Sequence, residues 1–268
     1  MSAPVPADRP VTAPDFAAAK GQRRLSVLTA YDYTTARLFD AAGVDAILVG
    51  DSLGMVVQGN ADCLRVTLDE MIYHTRCVAR GAKRALVIGD MPFLSFQLSP
   101  ESALANAGRL IKESDAQAVK LEGGQRTAAA IERMVAAGIP VMAHIGLTPQ
   151  SVRAIGGFKV QRDAERLKAD AKAVESAGAF SVVVECVPTE LAGELTALIK
   201  IPTIGIGAGN QCDGQVLVGA DMLGMFDDVR PKFVKRFGEL GAAARQAAEA
   251  YCRDVRNGAF PGPENSFR

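Results

Sequence analysis

At 268 residues, with 49% apolar and 22% charged side chains, the chain is long enough for one large domain and too apolar to remain disordered. Its 30 basic and 30 acidic residues cancel, so no strong field marks a nucleic-acid or anionic-membrane partner, and small-molecule substrates are the expectation. The cysteines (Cys63, Cys77, Cys186, Cys212 and Cys252) are odd in number, widely spaced and never in a C-x-x-C pair. That usage argues against a disulfide framework or a thiolate zinc site and fits a reducing cytoplasm.

In chain order, residues 1–11 contain Pro4, Pro6 and Pro10 and no apolar run behind a basic start, so they are expected to form a loose arm rather than a signal peptide or membrane anchor. No apolar run approaches the roughly 20 residues of a spanning helix. Residues 12–19 predict a short helix. Beyond them, short runs rich in Val, Ile and Leu alternate with longer amphipathic stretches, the pattern of βα units. The predicted strands are 26–31, 46–51, 85–90, 118–122, 140–146, 181–186, 202–208 and 215–218, the last squeezed between Gly214 and Gly219. Thr67 stands three residues before Glu70, a capping-box spacing, and Ser99 precedes Pro100 at a first helical position. Gly43, Gly81, Gly138 and Gly178 close Ala-rich stretches as left-handed C-terminal glycines would, and residues 231–258 predict long helical segments after the last strand. Eight such units predict an α/β fold, a closed (β/α)8 TIM barrel forming a single domain over 1–268. An open doubly wound sheet is the structural alternative.

In such a barrel the C-terminal ends of the strands form the functional face, so a polar residue closing an apolar run points to the site. Five successive runs close this way: Ile47-Leu48-Val49-Gly50-Asp51, Leu86-Val87-Ile88-Gly89-Asp90, Val119-Lys120-Leu121-Glu122, Met142-Ala143-His144 and Val182-Val183-Val184-Glu185. Any one of these is commonly a helix cap or turn residue; five in succession predict a shared mouth. Asp51, Asp90 and Glu122 offer hard oxygen ligands with no paired histidine or cysteine nearby, which suits magnesium or manganese rather than zinc. Three converging carboxylates would also repel one another without a cation between them.

Lys120 and Glu122 lie two apart on one strand and so share a face. The lysine is suited to hold a substrate carboxylate, with a plain ion pair as the alternative reading. Glu185 closes a run of valines ahead of Cys186, Val187 and Pro188 and is the candidate general base, a cap or an arginine partner being its alternative. His144, alone in an apolar strand, reads as a core histidine or as an additional site residue, and His74 as structural. Gly205-Ile206-Gly207-Ala208-Gly209 has Asn210 where a dinucleotide fingerprint needs its third glycine, so no such cofactor is expected. Its glycines instead predict close approach of the backbone to a ligand or a neighbouring strand.

Thr29-Ala30-Tyr31-Asp32-Tyr33, Val49-Gly50-Asp51-Ser52-Leu53-Gly54-Met55, Lys120-Leu121-Glu122-Gly123-Gly124, His144-Ile145-Gly146-Leu147-Thr148-Pro149-Gln150-Ser151 and Ile204-Gly205-Ile206-Gly207-Ala208-Gly209 together resemble the ketopantoate hydroxymethyltransferase family. The resemblance runs from about Leu25 to Phe260-Pro261-Gly262. It implies a barrel of the phosphoenolpyruvate/pyruvate-like superfamily that uses Mg2+ and transfers a hydroxymethyl group from 5,10-methylenetetrahydrofolate to 3-methyl-2-oxobutanoate, giving 2-dehydropantoate for pantothenate biosynthesis through a metal-stabilised enolate. Carried over by motif, Asp51 and Asp90 bind the metal directly or through water with Glu122 near it. Ser52 and Lys120 hold the oxo acid beside Asp51 and Asp90, and Glu185 is the proton acceptor. A homodecamer is also implied. One departure stands out: Lys159-Val160-Gln161 runs into Arg162-Asp163 without the glycine that usually follows in the family, so the resemblance does not extend to the loop geometry there. The alternatives are a metal-dependent oxo-acid carbon–carbon lyase of the isocitrate lyase or phosphoenolpyruvate mutase type, whose Lys-Lys-Cys-Gly-His-like loop is missing here, and a non-catalytic metabolite-binding barrel.

Overall fold

In the computed structural model, which describes residues 9–267, eight parallel strands follow one another round a closed barrel in sequence order. They are β1 (Leu25–Thr29), β2 (Ala46–Val49), β3 (Leu86–Asp90), β4 (Ala118–Glu122), β5 (Val141–Gly146), β6 (Ser181–Glu185), β7 (Thr203–Ile206) and β8 (Gly214–Leu217). The short β8 closes the ring by pairing Leu25 with Gly214 through Leu28 with Leu217. The expected closed barrel is therefore present, and the open sheet is not. β4 has the predicted bounds, and the other strands differ from theirs by at most two residues at an end. Pro140 and Pro202, lacking an N–H for the ladder, stand just outside the strands that they precede.

Helix α1 (Ala13–Ala18) precedes β1, and between the strands run α2 (Tyr33–Ala41), α3 (Leu53–Val56), α4 (Leu68–Gly81), α5 (Pro100–Ser114), α6 (Ala128–Ala136), α7 (Val152–Ile155), α8 (Ala164–Ser176) and α9 (Thr189–Leu198). The Thr67–Glu70 capping box opens α4, and Ser99 with Pro100 opens α5. Gly43, Gly138 and Gly178 have positive φ after their helices, as expected, but Gly81 does not. It is the last residue of α4, and a Cβ there would stand 2.6 Å from the Tyr33 carbonyl oxygen and 2.9 Å from Ala36 Cβ. Its small size lets α2 and α4 approach, so close packing and not handedness requires it.

The chain divides into two compact units, Met1–Val218 and Gly219–Arg268. The first is the barrel. Its interior is filled by every second residue of the strands, including Val27, Leu48, Ile88, Ala118, Met142, Val183, Ile204 and Val216, because side chains alternate across a strand. Val11 and the α1 residues Ala13 and Phe16 join that cluster at the N-terminal end of the strands, with the Phe16 ring edge-on to Phe180 at 5.8 Å. Truncating Phe16 to Ala would cost roughly 3–5 kcal/mol by opening this plug. The expected loose arm needs correcting at its inner end: Val11 is fully buried and its N–H donates to Arg84 O at 2.7 Å, while residues 1–8 lie outside those described.

The second unit holds α10 (Gly219–Met222) and α11 (Leu240–Arg256). The helix expected over 231–258 begins only at Leu240. Ahead of it the chain folds back, with Phe237 N–H donating to Met222 O and Leu240 N–H to Leu223 O, so these donors serve α10 instead of a new helix. None of the residues of α11 is buried.

Candidate active site

The alternation that fills the barrel also builds its mouth. One step beyond Ile88, Ala118, Met142 and Val183 on the same inward face come Asp90, Lys120 with Glu122, His144 and Glu185. Asp90, Lys120, Glu122 and His144 are all at most 4% exposed. Parallel register then sets Asp90 beside Lys120 and Glu122 beside His144. Lys120 Nζ donates to both Asp90 oxygens, at 2.8 and 2.7 Å, and lies 3.9 Å from Glu122 Oε1. His144 Nε2 stands 3.2 Å from Glu185 Oε2, and its Nδ1 is 3.9 Å from Glu122 Oε1.

The remaining predicted residues arrive from the turn after β2. Asp51 N–H donates to Asp90 Oδ2 at 3.3 Å, which draws this turn over the third strand. Gly50 is needed here, since a Cβ would lie 2.8 Å from Ser52 Oγ. Ser52 Oγ is 2.8 Å from the Tyr31 hydroxyl, itself 2.7 Å from Thr29 Oγ1, so the serine ends a buried hydroxyl chain. All the sequence-predicted site residues are thus brought to one end of the barrel. His74 Nδ1 lies 2.7 Å from Tyr31 O. The glycine motif approaches a neighbouring loop, where a Cβ on Gly205 would stand 3.1 Å from Cys212 Sγ.

Burial dominates the electrostatics of the mouth. It pushes the carboxyls of Asp51, Asp90 and Glu122 above the ordinary range against the pull of Lys120, Asp90 to about 6. Burial also disfavours the Lys120 ammonium, but the surrounding charges of Asp90, Glu122 and Asp51 outweigh it and hold the group protonated. The His144 ring, depressed first by burial and then by Lys120, is neutral at pH 7. Its two nitrogens and Glu122 Oε1 are buried without a well-aligned hydrogen bond, the close approach to Glu185 included. Buried polar atoms left unmet at a cavity are expected where a ligand completes the site.

With all three ionised, the buried carboxylates would exceed the one ammonium by two negative charges, the excess that a divalent cation would match and that would favour their charged forms. The described residues contain no group of three His, Cys, Asp or Glu side chains already drawn together to hold a metal ion. Lys120 engages both oxygens of Asp90, while Glu122 Oε2 accepts the Gln150 N–H. The donors instead fit the usual magnesium arrangement, in which one or two carboxylates are joined by water and substrate oxygens. Each carboxylate oxygen keeps a second lone pair beside its hydrogen bond, so Asp51 and Asp90 are the pair suited to it, with the unmet Glu122 oxygen nearby.

Sequence reasoning assigned no role to three residues found here. The buried Cys63 thiol helps to lower the Asp51 carboxyl against its burial, the Tyr31 hydroxyl bonds to Ser52, and Gln150 bonds to Asp51 and Glu122. Tyr31 and Gln150 lie within the motifs quoted above, yet a neutral side chain in a motif does not disclose a partner 99 positions away, as Asp51 is from Gln150. A cavity of about 400 Å3 opens beside Glu122 and Gln150, with Phe93, Phe96, Gln97 and Arg126 among its walls.

The family model described as ketopantoate hydroxymethyltransferase matches residues 10–263. A 3-methyl-2-oxobutanoate hydroxymethyltransferase of Enterococcus faecalis is 59% identical over 91% of this chain and 90% of its own, and one of Clostridium botulinum is 56% identical over 92% and 91%. Among solved structures, a phosphoenolpyruvate phosphomutase from Streptomyces platensis superposes with a TM-score of 0.63 at 14% identity, covering 92% of this chain and 88% of that one. A 2,3-dimethylmalate lyase does so with 0.60 at 18%, covering 96% and 91%. These distant likenesses concern the barrel fold, whereas the sequence matches span nearly the whole chain at more than half identity, and the chain belongs to the ketopantoate hydroxymethyltransferase family.

Proposed function

We propose that this chain transfers a hydroxymethyl group from 5,10-methylenetetrahydrofolate to 3-methyl-2-oxobutanoate, forming 2-dehydropantoate. The observation that carries the chemistry is the placement of Glu185 at the mouth, its carboxylate beside a neutral histidine and across from a buried lysine–carboxylate cluster. Lys120, charged and buried, together with the Ser52 hydroxyl, holds the carboxylate end of the oxo acid. Glu185 then takes the proton from C3, the carbon next to the ketone. Water breaks the two C–N bonds of the donor's methylene bridge, freeing tetrahydrofolate and a formaldehyde-level carbon. The enolate adds to that carbon, so that the new hydroxyl oxygen comes from water and its proton is returned by the protonated base. A base placed in this way typically contributes ~10²- to 10⁴-fold. His144 Nε2 stands 3.2 Å from Glu185 Oε2, near enough to stabilise the base once the site closes on substrate. A magnesium ion at Asp51 and Asp90, with Glu122 close by, would supply a Lewis acid for the ketone oxygen.

An assay of the oxo acid with and without methylenetetrahydrofolate tests the reading. Product formation only with the donor is expected. Cleavage of the oxo acid without it would instead favour the lyase alternative, which rests on fold likeness. Free cysteines throughout the described residues are in keeping with a cytoplasmic location, and no described helix is long and apolar enough to cross a membrane. Self-association, up to the decamer implied by the family, is in keeping with α11, on which Leu240, Tyr251 and Val255 are exposed.

A further inference from the structure

Gln150 lies in the 3-10 turn Pro149–Ser151 that follows β5, and it is 5% exposed. Its backbone N–H donates to Glu122 Oε2 at 3.0 Å. Its side-chain Nε2 donates twice, to Asp51 Oδ2 at 2.9 Å and to Met91 O at 2.9 Å, and its Oε1 accepts from Gln97 Nε2 at 3.0 Å. The orientation of this amide is not arbitrary. The Met91 carbonyl can only accept, so the NH2 end must face it, and the same end therefore faces Asp51. One buried residue thus grips a carboxylate delivered by the turn after β2 and another at the end of β4, using its main chain for one and its side chain for the other.

We infer that Gln150 is a positioning residue that fixes Asp51 and Glu122 relative to each other for cation binding at the barrel mouth. This rests on the magnesium reading of the site given above. Two features of the geometry support it. Both carboxylates are held by donors of one buried residue, the Gln150 N–H and its Nε2, so their separation is fixed by a single side chain set in the turn after β5. Each bond also uses a particular oxygen: Glu122 Oε2 and Asp51 Oδ2 are engaged, while Glu122 Oε1 is left without a hydrogen bond in a buried place. A glutamine present only to fill the core would not need both of its carboxylate partners to belong to the same mouth. Its amide oxygen is in turn held by Gln97, which lines the neighbouring cavity, so the brace is itself braced.

Outer-shell partners of this kind are worth on the order of 10- to 100-fold in metal affinity. The test is Mn2+ binding to the purified, metal-stripped protein, followed by electron paramagnetic resonance with and without 3-methyl-2-oxobutanoate and without the one-carbon donor. Gln150→Met preserves length and removes both side-chain donors. Its dissociation constant for Mn2+ is expected to rise about 10- to 100-fold while the metal-free protein still unfolds cooperatively. Gln97→Ala, which releases only the amide oxygen, should shift the constant in the same direction by less, and it supplies the test if Gln150→Met does not fold. Parental Mn2+ affinity in a folded Gln150→Met protein, or in Gln97→Ala when it is the only folded variant, would overturn the inference and leave the metal site standing. A parent protein that binds no Mn2+ under either condition would overturn both.

Discussion

The two ends of the barrel carry carboxylates in similar numbers and treat them in opposite ways. At the N-terminal end of the strands, Asp45 accepts from Ser26 N at 2.8 Å and Ser26 Oγ at 3.0 Å and pairs with Arg23 at 2.7 Å. Asp213 accepts from Lys20 Nζ at 2.7 Å and from Thr203 N at 2.9 Å. Asp40 receives the backbone N–H groups of Lys83, Arg84 and Ala85, which overcome its burial and hold it below the usual carboxylate range. At the C-terminal end one lysine serves three buried acids, whose carboxyls are raised, and a glutamate oxygen and a histidine ring stand unmet. The first arrangement spends its donors on stability. The second withholds them, which leaves charge for a ligand to satisfy, in line with the division of labour expected between the two faces of such a barrel.

If that contrast is sound, removing the one cation of the mouth should have the largest effect. Lys120→Met strips the buried carboxylates of their counter-charge and is expected to cost about 3–5 kcal/mol, read from denaturant unfolding of the metal-free protein. Added Mg2+ should recover part of the loss. Stability equal to the parent's would show that the mouth is not charge-strained. Asp90→Asn should act on the ligand instead, raising the Mg2+ concentration for half-maximal activity on the order of 10- to 100-fold. A titration matching the parent's would remove Asp90 from the metal site.

The opposite end should respond in stability alone. Asp40→Ala leaves three backbone donors without their acceptor and is expected to cost about 1–3 kcal/mol, with activity per folded molecule unchanged. A loss of turnover without a loss of stability would contradict the assignment of this end to structure. The smallest and sharpest expectation is a difference of sign in pH dependence. The folded-state pKa of Asp40 is depressed, so its contribution is present above the unfolded value of ~3.9 and is lost as pH falls through the depressed value. Asp90 is raised to about 6, so its contribution is full at acid pH and is lost as pH rises through about 6. Melting profiles of the metal-free variants should therefore flatten in different windows, Asp40→Ala at the acid extreme and Asp90→Asn between about pH 4 and 6. Flattening in one common window would erase the distinction.

How much of this was legible in the sequence follows from the range of the interactions involved. Strand and helix punctuation is local, so the eight strands, the Thr67 capping box and the Ser99–Pro100 helix start could be read directly. Lys120 and Glu122 share a face by alternation alone, and their company with Asp90, His144 and Glu185 followed from the barrel geometry. What escaped depends on register and loop return. Nothing near Gln150 announces its bonds to Asp51 and Glu122, nothing near Gly81 announces the Tyr33 carbonyl against it, and the fold-back of 231–239 onto α10 competes with a helix pattern that looks continuous. The hold on the acids escaped for the same reason: the sequence shows which of them reach the mouth, but not that Lys120 would engage both oxygens of one of them.

The central claim is that the mouth serves to make Glu185 a proton acceptor at C3 of the oxo acid. It is tested most directly by proton NMR of 3-methyl-2-oxobutanoate in deuterated buffer with Mg2+ and without the one-carbon donor. The parent enzyme is predicted to exchange the C3 hydrogen for deuterium, and Glu185→Gln, nearly the same in shape but unable to accept the proton, to lose that exchange while still binding the oxo acid. Exchange by Glu185→Gln at the parental rate would contradict the account.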